Sequence, residues 1–233
     1  MRSPHRLVRL AVVLAILSAA TITIASAATP YSKDGEATVY LQGRFDRSFV
    51  LTYDAGLHAE PANTSWSTLS IALLGGPPPS DAVTIGIYPA DAGVHAFVDI
   101  NRGRMNTFRD TGVRCEHGCR LSLRGDRDTL IATVDGREVG RWPRFAFRMP
   151  APGVQLNGEV GALGDRIDGW LRPADVRVEE TRIVPWCAFT TGGVAAQRSG
   201  QVLHYAGTHV AEVTSAYVSL TTGRTGEHCA DVR

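Results

Sequence analysis

Apolar and polar residues alternate with period two along most of the chain, the pattern of strands that pack one face and wet the other. Val83, Ile85 and Ile87 alternate with Thr84 and Gly86, and Val94, Ala96, Val98 and Ile100 alternate with His95, Phe97 and Asp99. The same reading predicts strands over 38–42, 48–53, 68–74, 120–124, 129–134, 138–142, 144–148, 159–163, 175–179, 202–205 and 216–220. Asp135-Gly136 separates two of these runs, and that dipeptide accepts the positive φ angles of a two-residue turn, so 129–142 reads as a hairpin. The clusters Gly75-Gly76-Pro77-Pro78-Pro79 and Pro150-Ala151-Pro152-Gly153 cannot continue a central strand, because proline donates no ladder hydrogen bond. No segment of helical length carries a capped apolar stripe outside the first 27 residues. Many short strands with frequent Gly and Pro punctuation predict an all-β antiparallel sandwich or barrel.

The first residues follow a different pattern. Arg2, Arg6 and Arg9 precede an apolar run from Leu10 to Ala20, and Ala25-Ser26-Ala27 offers the small residues a signal peptidase needs. Residues 1–27 therefore read as a signal peptide, with 28–180 as the β-sandwich domain and 181–233 as a C-terminal extension packed on it. The expected location is secreted or periplasmic. A membrane would enter only if this segment stayed uncleaved, because its apolar stretch approaches the roughly 20 residues that span a bilayer. A mature chain of about 206 residues is enough for one substantial core.

Removing the signal takes away three arginines and no acid, leaving 21 basic against 23 acidic side chains. That balance gives no electrostatic case for nucleic acid as a partner. Lys33 is the sole lysine, a coding preference for arginine without a clustered patch. Four cysteines in an exported chain imply two disulfides with three possible connectivities. The preferred pairing is Cys115 with Cys119, across a loop that Gly118 lets bend, and Cys187 with Cys229, tying the extension back. A zinc site from Cys115, His117, Cys119 and His228 or Cys229 is the sharper alternative, disfavoured by spacing and by an oxidising compartment. No cofactor or metal is expected.

Between about 66 and 178 the order of features resembles the concanavalin A-like lectin, glucanase and laminin-G-like jelly rolls. The residues that carry the resemblance are Trp66-Ser67-Thr68-Leu69-Ser70-Ile71-Ala72-Leu73, the hairpin from Leu130 to Val139, and Val160-Gly161-Ala162 leading to Gly169-Trp170-Leu171 and Asp175-Val176-Arg177-Val178. The resemblance implies two curved antiparallel sheets, with ligands met on a concave face or a loop rim. It does not imply an activity, since such folds host many functions. The Glu-x-Asp-x-x-Glu arrangement of the related glucanases does not occur here.

The candidate chemistry lies on the strand from Val94 to Ile100. Side chains alternate across a sheet, so His95, Phe97 and Asp99 share one face. An aromatic ring between an imidazole and a carboxylate can stack on a sugar while its neighbours bond hydroxyls; alternatively Phe97 packs in a core with His95 and Asp99 at its edges. Trp142 near a turn is a further candidate for a glycan or cell-envelope ligand, although a large ring serves packing as readily. The carboxylates available to a glycosidase are Asp99, Asp126, Asp128, Glu159, Asp165 and Asp168, two of which would have to stand about 5–9.5 Å apart. Gly-x-Ser-x-Gly and His-Glu-x-x-His are both missing. Arg124-Gly125-Asp126 reads as a polar turn rather than an adhesive tripeptide. The sequence favours a non-catalytic binding module, with a secreted glycoside hydrolase or lyase and a structural interaction module as alternatives.

Overall fold

Among the described residues, fifteen strands pair into two antiparallel sheets that face each other across one core. The computed structural model describes residues 35–41, 45–58, 67–75, 80–90, 93–103, 105–150, 152–178, 187–211 and 216–220, apart from the side chains of Cys187 and Tyr217. Residues 1–27, expected to be a signal peptide, and the expected Cys187–Cys229 bridge lie outside that set. The strands are β1 (Gly35–Leu41), β2 (Phe49–Leu57), β3 (Ser67–Leu74), β4 (Ala82–Ala90), β5 (Gly93–Arg102), β6 (Met105–Arg114), β7 (Cys119–Gly125), β8 (Thr129–Val134), β9 (Arg137–Pro143), β10 (Gly153–Val160), β11 (Arg166–Val178), β12 (Cys187–Thr191), β13 (Val194–Ser199), β14 (Val202–Thr208) and β15 (Ala216–Ser219).

The eight-stranded sheet runs β15-β12-β1-β10-β3-β4-β5-β6 and the seven-stranded sheet β13-β14-β11-β2-β7-β8-β9. Hairpins link β3 to β6 within one sheet and β7 to β9 within the other, while β1, β2, β10 and β11 are joined by crossings between sheets. This all-β jelly-roll sandwich is the architecture the alternation predicts. Residues after 180 supply two strands to each sheet.

The alternation accounts for the core. Leu69, Ile71 and Leu73, Val83, Ile85 and Ile87, and Val94, Ala96 and Val98 all point inward from the eight-stranded sheet. Phe49, Leu51, Tyr53 and Ala55 on β2, with Leu121 and Leu123 on β7, meet them from the seven-stranded sheet. Asp135 and Gly136 adopt φ of 49° and 79°, the doubly left-handed turn expected of that dipeptide, and β8 and β9 form the hairpin.

Three sequence expectations need correction. The stretch 144–148 is a 3-10 turn, Arg144–Ala146, because Pro143 closes β9 and the Arg144 guanidinium bonds the carbonyls of Phe45, Arg47 and Asp126. The strand expected over 159–163 is instead β10, which starts at Gly153 and stops at Val160; residues 161–165 turn, with Gly164 at φ 86° and bonded to the His209 carbonyl. β6, β12 and β13 were not anticipated. β6 is an edge strand whose residues are mostly exposed, so no apolar alternation marks it.

Candidate functional site

The face of the eight-stranded sheet turned away from the core carries the candidate site. Inward positions on β3, β4, β5 and β10 are apolar, so the opposite parity places Thr68, Ser70, Thr84, Asn157 and Glu159 outward, beside His95, Phe97 and Asp99. Register then sets neighbours: Phe97 lies across from Gly86, Gly86 from Ser70, and Ser70 from Asn157. Gly86 is required there. A Cβ at this position would sit 2.6 Å from the Leu69 carbonyl oxygen and 2.6 Å from the Phe97 ring.

Phe97 is only 4% exposed, yet it does not belong to the inter-sheet core. It is covered from outside by Phe108 of β6, whose ring stacks on it at 5.0 Å with 22° between planes, and Tyr88 meets both rings edge-on. Phe108 is itself 51% exposed. These rings floor and flank a cavity of about 300 Å³ lined with Thr68, Ser70, Thr84, Asp99, Asn106, Asn157 and Glu159.

Two acceptors in this cavity lack partners. Asp99 Oδ1 and Asn157 Oδ1 are buried without a hydrogen bond, and Asn157 is 6% exposed. Burial pushes the Asp99 carboxyl above its ordinary value, although the Asn106 side chain and the Ile100 backbone hydrogen-bond to it. Next to Phe97 a polar relay is better satisfied. Tyr88 donates to Asp110 Oδ2 at 2.8 Å, His95 Nδ1 lies 2.8 Å from the same oxygen, and the Gly112 N–H donates to Oδ1 at 2.6 Å. Burial raises the Asp110 carboxyl, but the Gly112, His95 and Tyr88 hydrogen bonds outweigh it and hold the group below its ordinary value. An ionised Asp110 can only accept, so His95 presents a proton at Nδ1, while its Nε2 is buried without a partner.

The structure brings His95, Phe97 and Asp99 onto one face and leaves Trp142 elsewhere. Trp142 stands on β9 of the other sheet, meets Phe147 edge-on at 6.3 Å and lines a separate cavity of about 460 Å³ with Arg109 and Val139. Of the sequence-named carboxylates, Asp126 caps its own turn by accepting from the Asp128 and Thr129 N–H groups, and Asp168 sits on the opposite sheet. Asp99 and Glu159 share the cavity, but three strand spacings, about 14 Å, and four residues along the strands, about 13 Å, separate their backbones. They are too far apart for a glycosidase pair. Glu159 instead faces Glu36 as its direct cross-strand partner.

Phe108, Asn106, Ser70 and Asn157 were missed from the sequence. Ser70 was readable, since it alternates with Leu69 and Ile71; β6 carries no such signal, and Asn157 lay in a strand placed too late. The Cys115–Cys119 disulfide is present on the β6–β7 connection. A thiolate zinc site there is thereby removed, and among the described residues no cluster of three or more His, Cys, Asp or Glu side chains could hold a metal.

No family model matches the chain, and no curated protein matches it. Among solved structures, it is similar to scytalido-glutamic peptidase at 9% identity and TM-score 0.45, covering 76% of this chain and 98% of that one. A glycoside hydrolase family 16 endo-glucanase from Bacteroides ovatus matches at 10% identity and TM-score 0.39, covering 54% and 67%. The catalytic domain of a laminarinase from Thermotoga petrophila RKU-1 matches at 10% and 0.40, covering 74% and 77%. At these values the likeness assigns neither family nor activity, and the antiparallel sandwich stands on the chain's own strand order and register.

Proposed function

We propose that this is an exported, non-catalytic binding module that seats a glycan across the outward face of the eight-stranded sheet. The carrying observation is the Phe97–Phe108 stack beside two buried, partnerless acceptors, Asp99 Oδ1 and Asn157 Oδ1. Rings offer a platform for the C–H face of a sugar, and unfilled acceptors suit hydroxyl donors. The lining residues run across β10, β3, β4, β5 and β6, a span of about 19 Å at the usual strand spacing, which suits a chain of sugars rather than a single ring. Retention on insoluble β-1,3-glucan, cellulose, chitin and peptidoglycan tests the reading. Phe108→Ala removes an exposed side chain with little risk to the fold, and its retention should drop at least about tenfold. Unchanged retention, or no retention of the unsubstituted protein on any of these, sinks the proposal.

One observation favours a second reading, a glycoside hydrolase. Glu36 and Glu159 are direct cross-strand partners, a like-charge juxtaposition that ordinarily costs stability, and such Cβ atoms lie roughly 4.5–5.5 Å apart. Thr38 hydrogen-bonds Glu36. Release of reducing ends from the same polysaccharides, abolished by Glu36→Gln or Glu159→Gln with binding retained, would replace the non-catalytic reading.

A further inference from the structure

The charge on this face narrows the ligand. Among the described residues that point outward from the eight-stranded sheet, the carboxylates are Glu36, Asp99, Asp110 and Glu159, and the arginine is Arg114, which is 3.7 Å from Glu116 at the strand end. Asp110 has His95 beside it. Among the described residues, Asp99 has hydrogen bonds from Asn106 and Ile100 but no cation, and it lines the cavity together with Phe108. The other sheet treats its central carboxylate differently: Asp54 takes Arg120 and Arg172, both at 2.8 Å. A half-buried carboxylate without a cation, next to an aromatic stack, is a place where a positive ligand group recovers more than a hydroxyl does. The ammonium gains a charge-assisted hydrogen bond and lies near ring faces that attract cations.

We propose that the glycan seated on this face carries free amines, so that a protonated amino sugar is recognised by Asp99 beside the Phe97–Phe108 stack. This rests on the glycan-binding reading above. An ammonium supplies both a donor to the unfilled Asp99 Oδ1 and charge to its carboxylate. A neutral hydroxyl supplies only the first, and an N-acetyl group removes the charge and adds bulk.

Calorimetric titration of the mature protein at mildly acidic pH, where the amines are protonated, tests it with three matched hexasaccharides: β-1,4-linked glucosamine, N-acetylglucosamine and glucose. The glucosamine oligomer should bind at least about tenfold tighter than either neutral one, corresponding to one charge-assisted contact. Asp99→Asn should remove most of that preference, and added salt should weaken the glucosamine oligomer alone. If the neutral oligomers bind as tightly as the amine, and Phe108→Ala abolishes all binding, the amine inference fails while the glycan reading stands. If the preference persists in Asp99→Asn, the amine is read elsewhere and the inference fails. If none of the three binds, both fall.

Discussion

The two sheets present outer faces built by the same local rule to opposite electrostatic ends. On each, an aromatic side chain covers a glycine of the neighbouring strand: Phe97 lies against Gly86, and the Trp170 indole lies across Gly56. Around Trp170, however, the polar groups are matched. Asp54 is held below its ordinary value first by the Arg120 hydrogen bond, against its own burial, and then by Arg172, and Arg172 also lies over the indole at 5.8 Å. Around Phe97, Asp99 is raised by burial and Asn157 Oδ1 is unfilled. A carboxylate with two guanidiniums explains itself within the fold; one left short of partners points outside the molecule.

The strongest test of that contrast is steric. Gly86→Ala brings its Cβ against the Leu69 carbonyl oxygen, which cannot swing away, so thermal melting should report a loss of about 1–3 kcal/mol together with lost glycan retention. Gly56→Ala first meets the Trp170 ring, a side chain that can rotate outward, and should cost less. Equal losses would mean that the two rings are not differently held.

Removing the bridge with Cys115→Ser and Cys119→Ser should cost about 2 kcal/mol by loop entropy. The bridge borders the cavity on the Trp170 side, formed with His117, Arg120 and Arg172, so binding at the Phe97 face should be unchanged in the folded double variant. A parallel loss of binding would show that the faces are coupled.

Charge deletions should then act with opposite signs. Asp54→Asn should destabilise by about 1 kcal/mol at neutral pH, since the partner arginines are largely solvated. Because the folded value of Asp54 is depressed, its contribution is present above the unfolded value of roughly 3.9 and is lost as pH falls through the folded one. For Asp99 the folded value is raised, so stability declines as pH climbs from the unfolded value through the folded one. Asp99→Asn should therefore melt slightly higher at neutral pH, by roughly a few tenths of a kcal/mol, and match the parent in acid. A destabilised Asp99→Asn would mean that the carboxylate already has its partner.

What the sequence revealed follows the physics of burial. Strands packed on one face, such as β3, β4 and β5, announce themselves through Leu69/Ile71, Val83/Ile85 and Val94/Val98, and the same parity put His95, Phe97 and Asp99 on a shared face. The alternation marks only 175–179 of the 13-residue β11, and Gly169-Trp170-Leu171 enters through the family resemblance alone; Pro173 sits at a register shift, where a missing N–H is tolerated. β6 pairs along one side through its backbone while most of its side chains are exposed, so neither its existence nor Phe108's role as cover over Phe97 has a local signature. Trp142 shows the converse limit: a turn-proximal aromatic is indistinguishable by sequence from one that closes an open sheet edge.

One bond across the core has a mechanical consequence. The Tyr205 hydroxyl, carried by β14, reaches through the dry interior to the Leu156 carbonyl on β10, at 2.9 Å. Sliding one layer over the other would strand both groups without water, at about 1–3 kcal/mol for each. The phenol is a dowel, and a polymer tugging on one layer loads both together instead of shearing them apart.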